Sequence, residues 1–256
     1  MTRAHGVQLE ISVETLAGVG IADRAGADRV ELCSGMRDGG LTPSWAFIER
    51  AIELAANAQV HVLIRPRPGD FRYSPEEISL MRREIDQVRR MGAAGVVVGA
   101  LDDQGAVDVD ACASFVEAAE GIQATFHRAF DVSADPRKAF DQVVELGFTR
   151  LLTSGQKRSV LDGAALIGEL VARARGHVDV MACGGVRAGN APRVLAETGV
   201  RDLHAATRVP IRGSRPEGGE VSFAGADLPA GFDRFETDAN DVAELRVVTT
   251  NHHVHS

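Results

Sequence analysis

The fold is decided by the stretch VQLEISVETLAGVGIADRAGADRVELC, which occupies residues 7–33. Its two ends, residues 7–12 and 28–33, are short and apolar with single polar residues at alternate positions, as in β-strands. Between them, residues 14–25 carry apolar side chains at helical spacing and end beside Gly26. The pattern predicts a strand, a helix and a second strand that runs parallel to the first, because a helical crossover joins parallel neighbours.

The same alternation continues along most of the chain. Thr42 followed by Pro43 predicts a helix N-cap, and the Ser-Pro-Glu-Glu run from Ser74 predicts another helix start. The further predicted strands are residues 59–65, 94–99, 123–127, 149–154, 177–183 and 200–205. The further predicted helices are residues 43–56, 74–91, 108–119, 135–146, 160–173 and 190–197.

Eight such units of about 30 residues each predict a TIM (β/α)8 barrel. An open doubly wound sheet of this length usually stops at about five to seven strands. No shift in composition marks a second domain, so residues 1–256 are expected to form one domain, with the barrel units in about 7–205. Residues 208–233, rich in Gly, Pro and Arg, predict a long loop or a disordered segment, and residues 237–248 predict the last helix.

Composition and charge limit the partners. The chain has 256 residues, of which 45% are hydrophobic, and no apolar run long enough to span a bilayer. A net charge of −8, from 36 acidic and 28 basic side chains, argues against a nucleic-acid partner. The first residues lack the apolar stretch of a signal peptide, so we expect a cytoplasmic protein.

Ionisable residues stand where the predicted strands end. Glu10 and Glu31 are each flanked by apolar neighbours that must face the helices, so both carboxylates are expected to point into the mouth of the barrel. Active sites of these barrels gather at the strand ends. The other polar residues there are Arg65, His127, Arg128, Asp131, Ser154 and His204.

Two interpretations of this set stay open. The carboxylates, arginines and histidine can form a pocket for acid–base chemistry on a small anion. Alternatively, the Glu and Arg side chains neutralise one another in a buried ionic layer.

Two loops carry further candidates. Gly184 and Gly185, together with Ser154 and Gly155, resemble phosphate-cradling loops, although a glycine pair also serves simply to turn the chain. Lys157 follows the sixth strand and is either a Schiff-base lysine or an exposed loop residue.

The three cysteines are too few for a disulfide framework. Cys33 stands at a strand end, where its thiolate can act as a nucleophile or bind Cu(I), or where it simply packs. Cys183 has a comparable position, whereas Cys112 has the helical spacing of a core residue. The histidines of the tail, within residues 252–255, either chelate metal or belong to a disordered terminus.

Five motifs occur in order between residues 9 and 204: ADRVELC (27–33), GGLTPS (39–44), IRPR with GDF and YS (64–74), TFHRAFD (125–131) and LTSGQ (152–156). Together they resemble the CutC family, whose members are named for copper homeostasis. The resemblance implies a TIM barrel, a cytoplasmic location and a homo-oligomer, often a dimer or tetramer. It maps the family's shared polar residues onto Glu10, Glu31, Arg65, His127, Arg128 and Asp131.

The resemblance also implies copper binding through two cysteines, one in each of the first two strands. Here Cys33 matches the second of these positions, but Ser12 occupies the first, and a hydroxyl is a poor Cu(I) ligand. Two functions are therefore carried forward. The first is a CutC-like copper homeostasis protein that binds Cu(I) through Cys33, and the second is a barrel enzyme that acts on a small anionic or sugar-like substrate.

Overall fold

Short strands with apolar outer faces close into an eight-stranded parallel barrel in a computed structural model that describes residues 6–213, 228–229 and 231–251. The strands run in chain order around the barrel, and the eighth pairs with the first, with Gln8 opposite Asp202. The predicted TIM barrel is confirmed. The strands are β1 Gln8–Val13, β2 Arg29–Leu32, β3 Gln59–Leu63, β4 Gly95–Val98, β5 Gln123–Phe126, β6 Arg150–Thr153, β7 Asp179–Ala182 and β8 Asp202–Ala205.

Helices follow the strands and bury their apolar sides against the barrel. They are α1 Leu16–Arg24, α2 Trp45–Leu54, α3 Pro75–Arg90, α4 Val109–Ala118, α5 Pro136–Glu145, α6 Ala164–Ala174, α7 Ala191–Thr198 and α8 Ala239–Asn251. Short 3₁₀ turns at Met36–Asp38 and Arg128–Val132 shape the loops after β2 and β5. No helix in the described part of the chain has the length and apolarity needed to cross a bilayer.

Two predicted helix starts have different outcomes. Ser74 does form a capping box, in which its hydroxyl accepts from the Glu77 amide and the Glu77 carboxylate accepts from the Ser74 amide. The prediction of Thr42 as the N-cap of α2 was wrong, because Ser44 holds that position. The Thr42 hydroxyl instead accepts a hydrogen bond from the Arg65 amide at 2.9 Å and donates to Glu84 at 3.1 Å.

The segment after β8 contains structure that the sequence did not predict. Arg208–Ile211 forms strand β9, which pairs antiparallel with strand β10 at Arg234–Thr237. The prediction of a loop or disorder throughout 208–233 was therefore wrong at its start, because β9 is stabilised by a partner distant in the chain. Residues 214–227 and 230 lie outside the described residues, as does the histidine-containing tail from 252 onward.

Charged side chains inside the barrel form a continuous chain of ion pairs, here called the ionic chain. Its members are Arg150, Asp202, Arg29, Glu10 and His204. Asp202 accepts from Arg150 Nε at 2.7 Å and also pairs with Arg29. Arg29 Nε donates to Glu10 at 3.0 Å, and His204 Nδ1 lies 2.8 Å from the other Glu10 oxygen.

The ionic chain is stable only as a unit. Burial alone favours neutral Glu10, yet the hydrogen bond from His204 and the charge of Arg29 hold the pKa of Glu10 below its usual range. Burial likewise opposes the charge of Arg29, but Asp202 and Glu10 raise the pKa of Arg29. Removing one member leaves its partners charged and buried without compensation.

We predict that Asp202→Asn lowers the free energy of unfolding by about 3–5 kcal/mol, because Arg29 and Arg150 both lose a buried counter-ion. The measurement is urea unfolding at neutral pH. The matched control is Asp141→Asn, which removes an exposed pair with Arg173 and should cost about 0–1 kcal/mol. Equal costs for the two variants would contradict a structural role for the ionic chain.

Candidate active site

A cavity of about 210 Å³ opens at the carboxyl ends of the strands, here called the mouth cavity. Inward-facing residues alternate along each strand, so those nearer the carboxyl end than the ionic chain point into this opening. Its polar lining residues are Ser12, Glu31, Cys33, Arg65, His127, Arg128, His204 and Arg208. Its apolar lining residues include Met36, Leu63, Phe71 and Leu152.

A larger opening of about 800 Å³ lies at the amino ends of the strands. Its lining includes the buried residues Arg29, Arg150 and Asp202, which already neutralise one another in the ionic chain. The mouth cavity is therefore the better candidate for chemistry, in keeping with where such barrels place their sites.

Glu31 and His204 lie near each other at the floor of the mouth cavity, beyond direct hydrogen-bond distance. Glu31 Oε2 lies 3.8 Å from His204 Nε2, and the opposite ring nitrogen bonds Glu10. Burial raises the pKa of Glu31 to about 7, and the nearby Glu10 charge adds to this effect. Burial opposes protonation of His204, but Glu31 and Glu10 together raise its pKa. The pair can therefore give or take a proton near neutral pH.

Glu10 has a different position from Glu31, although the sequence placed both in the mouth. Its side chain is fully buried below the cavity and bonds Arg29 and His204. The structure thus divides the set: Glu10 belongs to a buried ionic layer, and Glu31 lines the mouth cavity. Glu10 orients the imidazole of His204 toward Glu31.

The Arg65 guanidinium binds the protein backbone. Its Nη1 donates to the carbonyls of Asp38 at 2.7 Å and Gly40 at 2.9 Å, and its Nη2 donates to Gly69 at 2.8 Å. Arg65 therefore ties the loops after β2 and β3 together. It contributes positive charge to the mouth, while both terminal nitrogens are engaged.

His127 is a neutral hydrogen-bond donor. Its Nδ1 accepts from the Ala129 amide at 3.3 Å, which places the ring proton on Nε2. That nitrogen is buried and has no hydrogen-bond partner among the described residues. Burial, with the charge of Arg65, lowers the pKa of His127 to about 3. The imidazole is thus suited to donate to a substrate oxygen and unsuited to act as a base.

Asp131 anchors the loops after β5 and β6. It accepts from Thr153 Oγ1 at 2.6 Å, from the Ser154 amide at 3.0 Å and from the Gln156 amide at 3.2 Å. It also accepts from Arg128 Nε at 2.8 Å, while Arg128 Nη2 donates to Ser154 Oγ at 2.8 Å. Asp131 is therefore saturated with donors and positions Arg128, which lines the mouth.

The candidate phosphate loops do not line the mouth cavity. Gly155 has φ +68°, and a Cβ there would lie 2.3 Å from the carbonyl of Gly163. Gly184 has φ +101°, and a Cβ there would lie 2.8 Å from Ser154 Cβ. Gly185 also has a positive φ. These observations favour the alternative in which the glycines turn the chain and allow close packing.

Cys33 is buried at the side of the mouth cavity. Its Sγ donates to the Val13 carbonyl at 3.6 Å, and burial raises the pKa of the thiol well above its usual value. Cys33 packs with Leu63, Val97 and Met36.

The other sequence-derived candidates lie elsewhere. Cys183 packs in a separate cluster with Leu152 and Met181, and Cys112 is a core residue as predicted. Lys157 is exposed, as its simpler alternative requires. Within the described ranges, no group of three or more His, Cys, Asp or Glu side chains is placed to hold a metal ion.

Two residues of the mouth cavity carry only a weak signal in the sequence. His204 was visible as a polar strand end, but nothing in the sequence paired it with Glu10 on β1. Arg208 fell within the segment predicted as a loop, and only the β9–β10 pairing brings it to the mouth.

Comparisons with known proteins agree with this architecture. The sequence profile of the CutC family matches residues 7–209. A family protein CutC of Pasteurella multocida is 41% identical over 77% of this chain and 81% of its own length. One of Bacteroides thetaiotaomicron is 39% identical over 92% of this chain and 95% of its own length.

A solved structure is also similar. A CutC of Streptococcus agalactiae, named for copper homeostasis, superposes with a TM-score of 0.74 at 34% identity. The alignment covers 77% of this chain and 97% of that one. With the profile match over most of its length, this chain belongs to the CutC family.

Proposed function

We propose that this protein is an enzyme that transfers protons on a small anionic substrate in the mouth cavity. The observation that carries the proposal is Glu31, a carboxyl group whose pKa is raised to about 7 and which faces His204 inside a cavity. A perturbed acid–base pair in a concave site is typical of a catalytic centre.

The charge of the mouth supports an anionic substrate. Three arginines, Arg65, Arg128 and Arg208, line the cavity beside one carboxylate, Glu31. The protein as a whole is acidic, with a net charge of −8, so this local excess of positive charge runs against the average. The cavity volume of about 210 Å³ lies below the range of about 300–1,000 Å³ that is typical of drug-sized ligands, which favours a small substrate.

Under this proposal each polar group has a task. Glu31 takes a proton from the substrate or returns one, and the nearby charge of His204 lowers the pKa of Glu31. Glu10 holds the His204 ring in place through Nδ1. His127 Nε2–H donates to a substrate oxygen on which negative charge develops. Isomerases, lyases and hydrolases all use such a step, so the proposal is limited to proton transfer.

Cu(I) binding is the second candidate function. It is favoured by the relative named for copper homeostasis and by Cys33 and Met36, whose sulfur atoms belong to residues lining one cavity. The donor set does not fit the two-thiolate site that the family resemblance implies, because Ser12 occupies the first position. Copper would therefore be a cargo held by the sulfur atoms of Cys33 and Met36, without a pair of thiolates.

We also propose a cytoplasmic location and a dimer or tetramer, as the family resemblance implies. Neither proposal affects the assignment of residues in the mouth cavity.

We predict that the protein introduces solvent deuterium into a small anionic metabolite. A small-molecule extract is incubated in D₂O with wild-type protein or with Glu31→Gln and analysed by mass spectrometry. Wild type should label or convert at least one anion, and Glu31→Gln should reduce this at least about 100-fold, because general acid–base groups contribute factors of about 10² to 10⁴.

Glu84→Gln is the matched control, because Glu84 is a half-buried carboxyl on α3 whose pKa burial also raises, but it lies outside the mouth. This variant should behave like wild type. If wild type and Glu31→Gln give the same labelling, the enzyme proposal is wrong.

We predict that Glu31 makes stability fall as pH rises. The folded protein keeps a proton on Glu31 up to a pKa of about 7, whereas an unfolded glutamate loses it near 4.5. Between these values the folded state binds more protons, so this contribution to stability is lost with rising pH. Relative to wild type, Glu31→Gln should therefore gain about 1–3 kcal/mol between pH 5 and pH 8, measured by urea unfolding. A difference that does not change with pH would contradict the raised pKa.

For the copper candidate, anaerobic titration with Cu(I) in competition with a chromophoric chelator gives a direct measurement. If copper is the cargo, wild type binds it stoichiometrically and Cys33→Ser weakens binding at least about tenfold, because the only thiol lining the described mouth is lost. Cys112→Ser, which removes a buried thiol of the core, is the control and should bind as wild type does. Equal affinity for Cys33→Ser would exclude Cys33 as the site.

A further inference from the structure

The hairpin of β9 and β10 delivers one arginine to the mouth cavity. Arg208 is the first residue of β9 and lies opposite Thr237 of β10. The chain reaches it directly from β8, which carries His204. Arg208 lines the same cavity as Glu31 and His204.

The hairpin is held firmly against the barrel. Glu236 Oε1 accepts from Thr15 Oγ1 at 2.6 Å and from the Thr237 amide at 2.9 Å. Thr15 is itself the N-cap of α1. Gly18 allows the close approach, since a Cβ there would lie 2.6 Å from Thr237 Oγ1. The position of Arg208 is thus fixed by contacts on β10 and α1.

The Arg208 side chain is positioned but incompletely bonded. Its guanidinium carbon lies 5.0 Å from the centroid of the Phe235 ring, which holds its plane in a cation–π contact. Its Nη1 is buried and has no hydrogen-bond partner among the described residues. A buried donor without an acceptor is costly, and for a charged group the cost is greater.

The other two arginines of the mouth have no buried terminal nitrogen without a partner among the described residues, although Arg65 Nε is buried and unpartnered. Arg65 gives both terminal nitrogens to backbone carbonyls, and Arg128 pairs with Asp131 and Ser154. Among the described residues that line the mouth, Arg208 is therefore the arginine with a buried terminal donor left for a ligand.

We propose that Arg208 binds an oxyanion of the substrate, either a carboxylate or a phosphoryl group, through Nη1. The inference rests on the proposed function and extends it by naming the group that anchors the substrate. Strands β2 and β8 flank β1, so Glu31 and His204 are close neighbours in the barrel, and Arg208 follows soon after His204. The substrate is thus a short molecule with a terminal oxyanion near the carbon or oxygen that exchanges its proton.

The apolar side of the cavity agrees with a short carbon skeleton. Leu63, Met36 and Leu152 line the mouth together with the charged groups. An inorganic ion would leave this surface without contact, whereas a small organic acid or phosphate ester would cover it. We therefore place the oxyanion at Arg208 and the carbon skeleton against this apolar surface.

The test measures anion binding by isothermal titration calorimetry with two probes, inorganic phosphate and malonate. We expect saturable binding of at least one probe to the wild-type protein. Arg208→Gln should weaken that binding about tenfold or more, the range for a charge-assisted hydrogen bond. Arg208→Lys keeps the charge but loses the planar guanidinium, so its affinity for the anion should lie between those of wild type and Arg208→Gln.

Arg212→Gln is the matched control. Arg212 follows β9 and stacks on Phe232 at 4.8 Å, as Arg208 stacks on Phe235, but it does not line the mouth. This variant makes the same charge change and should bind within about twofold of wild type. Unfolding in urea establishes that all variants are folded.

Three results would overturn the inference: neither probe binds wild type, Arg208→Gln binds as wild type does, or Arg212→Gln loses as much affinity as Arg208→Gln. The deuterium experiment judges the enzyme proposal separately. Labelling that depends on Glu31, without an effect of Arg208 on anion binding, would support the enzyme proposal and contradict the oxyanion site at Arg208. Anion binding that depends on Arg208, without labelling, would support the oxyanion site and contradict the enzyme proposal.

Discussion

The ion pairs inside the barrel are the constraint on which the rest of the structure depends. Arg150, Asp202, Arg29 and Glu10 cross the interior from β6 through β8 and β2 to β1, where most barrels of this type place branched apolar residues. Buried charges are tolerated only when each is paired and hydrogen-bonded. The register of these strands is therefore coupled to electrostatics as well as to packing.

The same interactions prepare the mouth cavity. Glu10 is held ionised by Arg29 and binds His204 Nδ1, so the His204 ring presents Nε2 to Glu31. Burial raises the pKa of Glu31 to about 7, although the charges of His204 and Arg128 oppose this rise. Glu31, whose ionisation burial opposes, therefore lies above the ionic chain, in which the charged groups are paired. This contrast underlies both the proposed proton transfer and the predicted loss of stability with rising pH.

The sequence anticipated much of the site because the strands alternate strictly. A polar residue between two apolar ones on a buried strand must face the interior, and this placed Glu10 and Glu31 in the barrel. Alternation shows which face of the strand a side chain occupies, but not how far it lies from the barrel mouth. It therefore did not separate Glu10 in the ionic chain from Glu31 in the mouth cavity. It also did not show that the Arg65 guanidinium is engaged by carbonyls of Asp38, Gly40 and Gly69, since backbone acceptors leave no trace in residue types.

The sequence by itself determined the eight-unit barrel, the family and the set of polar residues at the strand ends, because these follow from local periodicity and short motifs. Tertiary structure alone decided which of these residues are paired. It brought Arg208 to the mouth through a hairpin whose strands are far apart in the chain, and it placed His204 between Glu10 and Glu31 through the closure of β8 on β1. Such pairings depend on distances between remote segments, which neither composition nor spacing records.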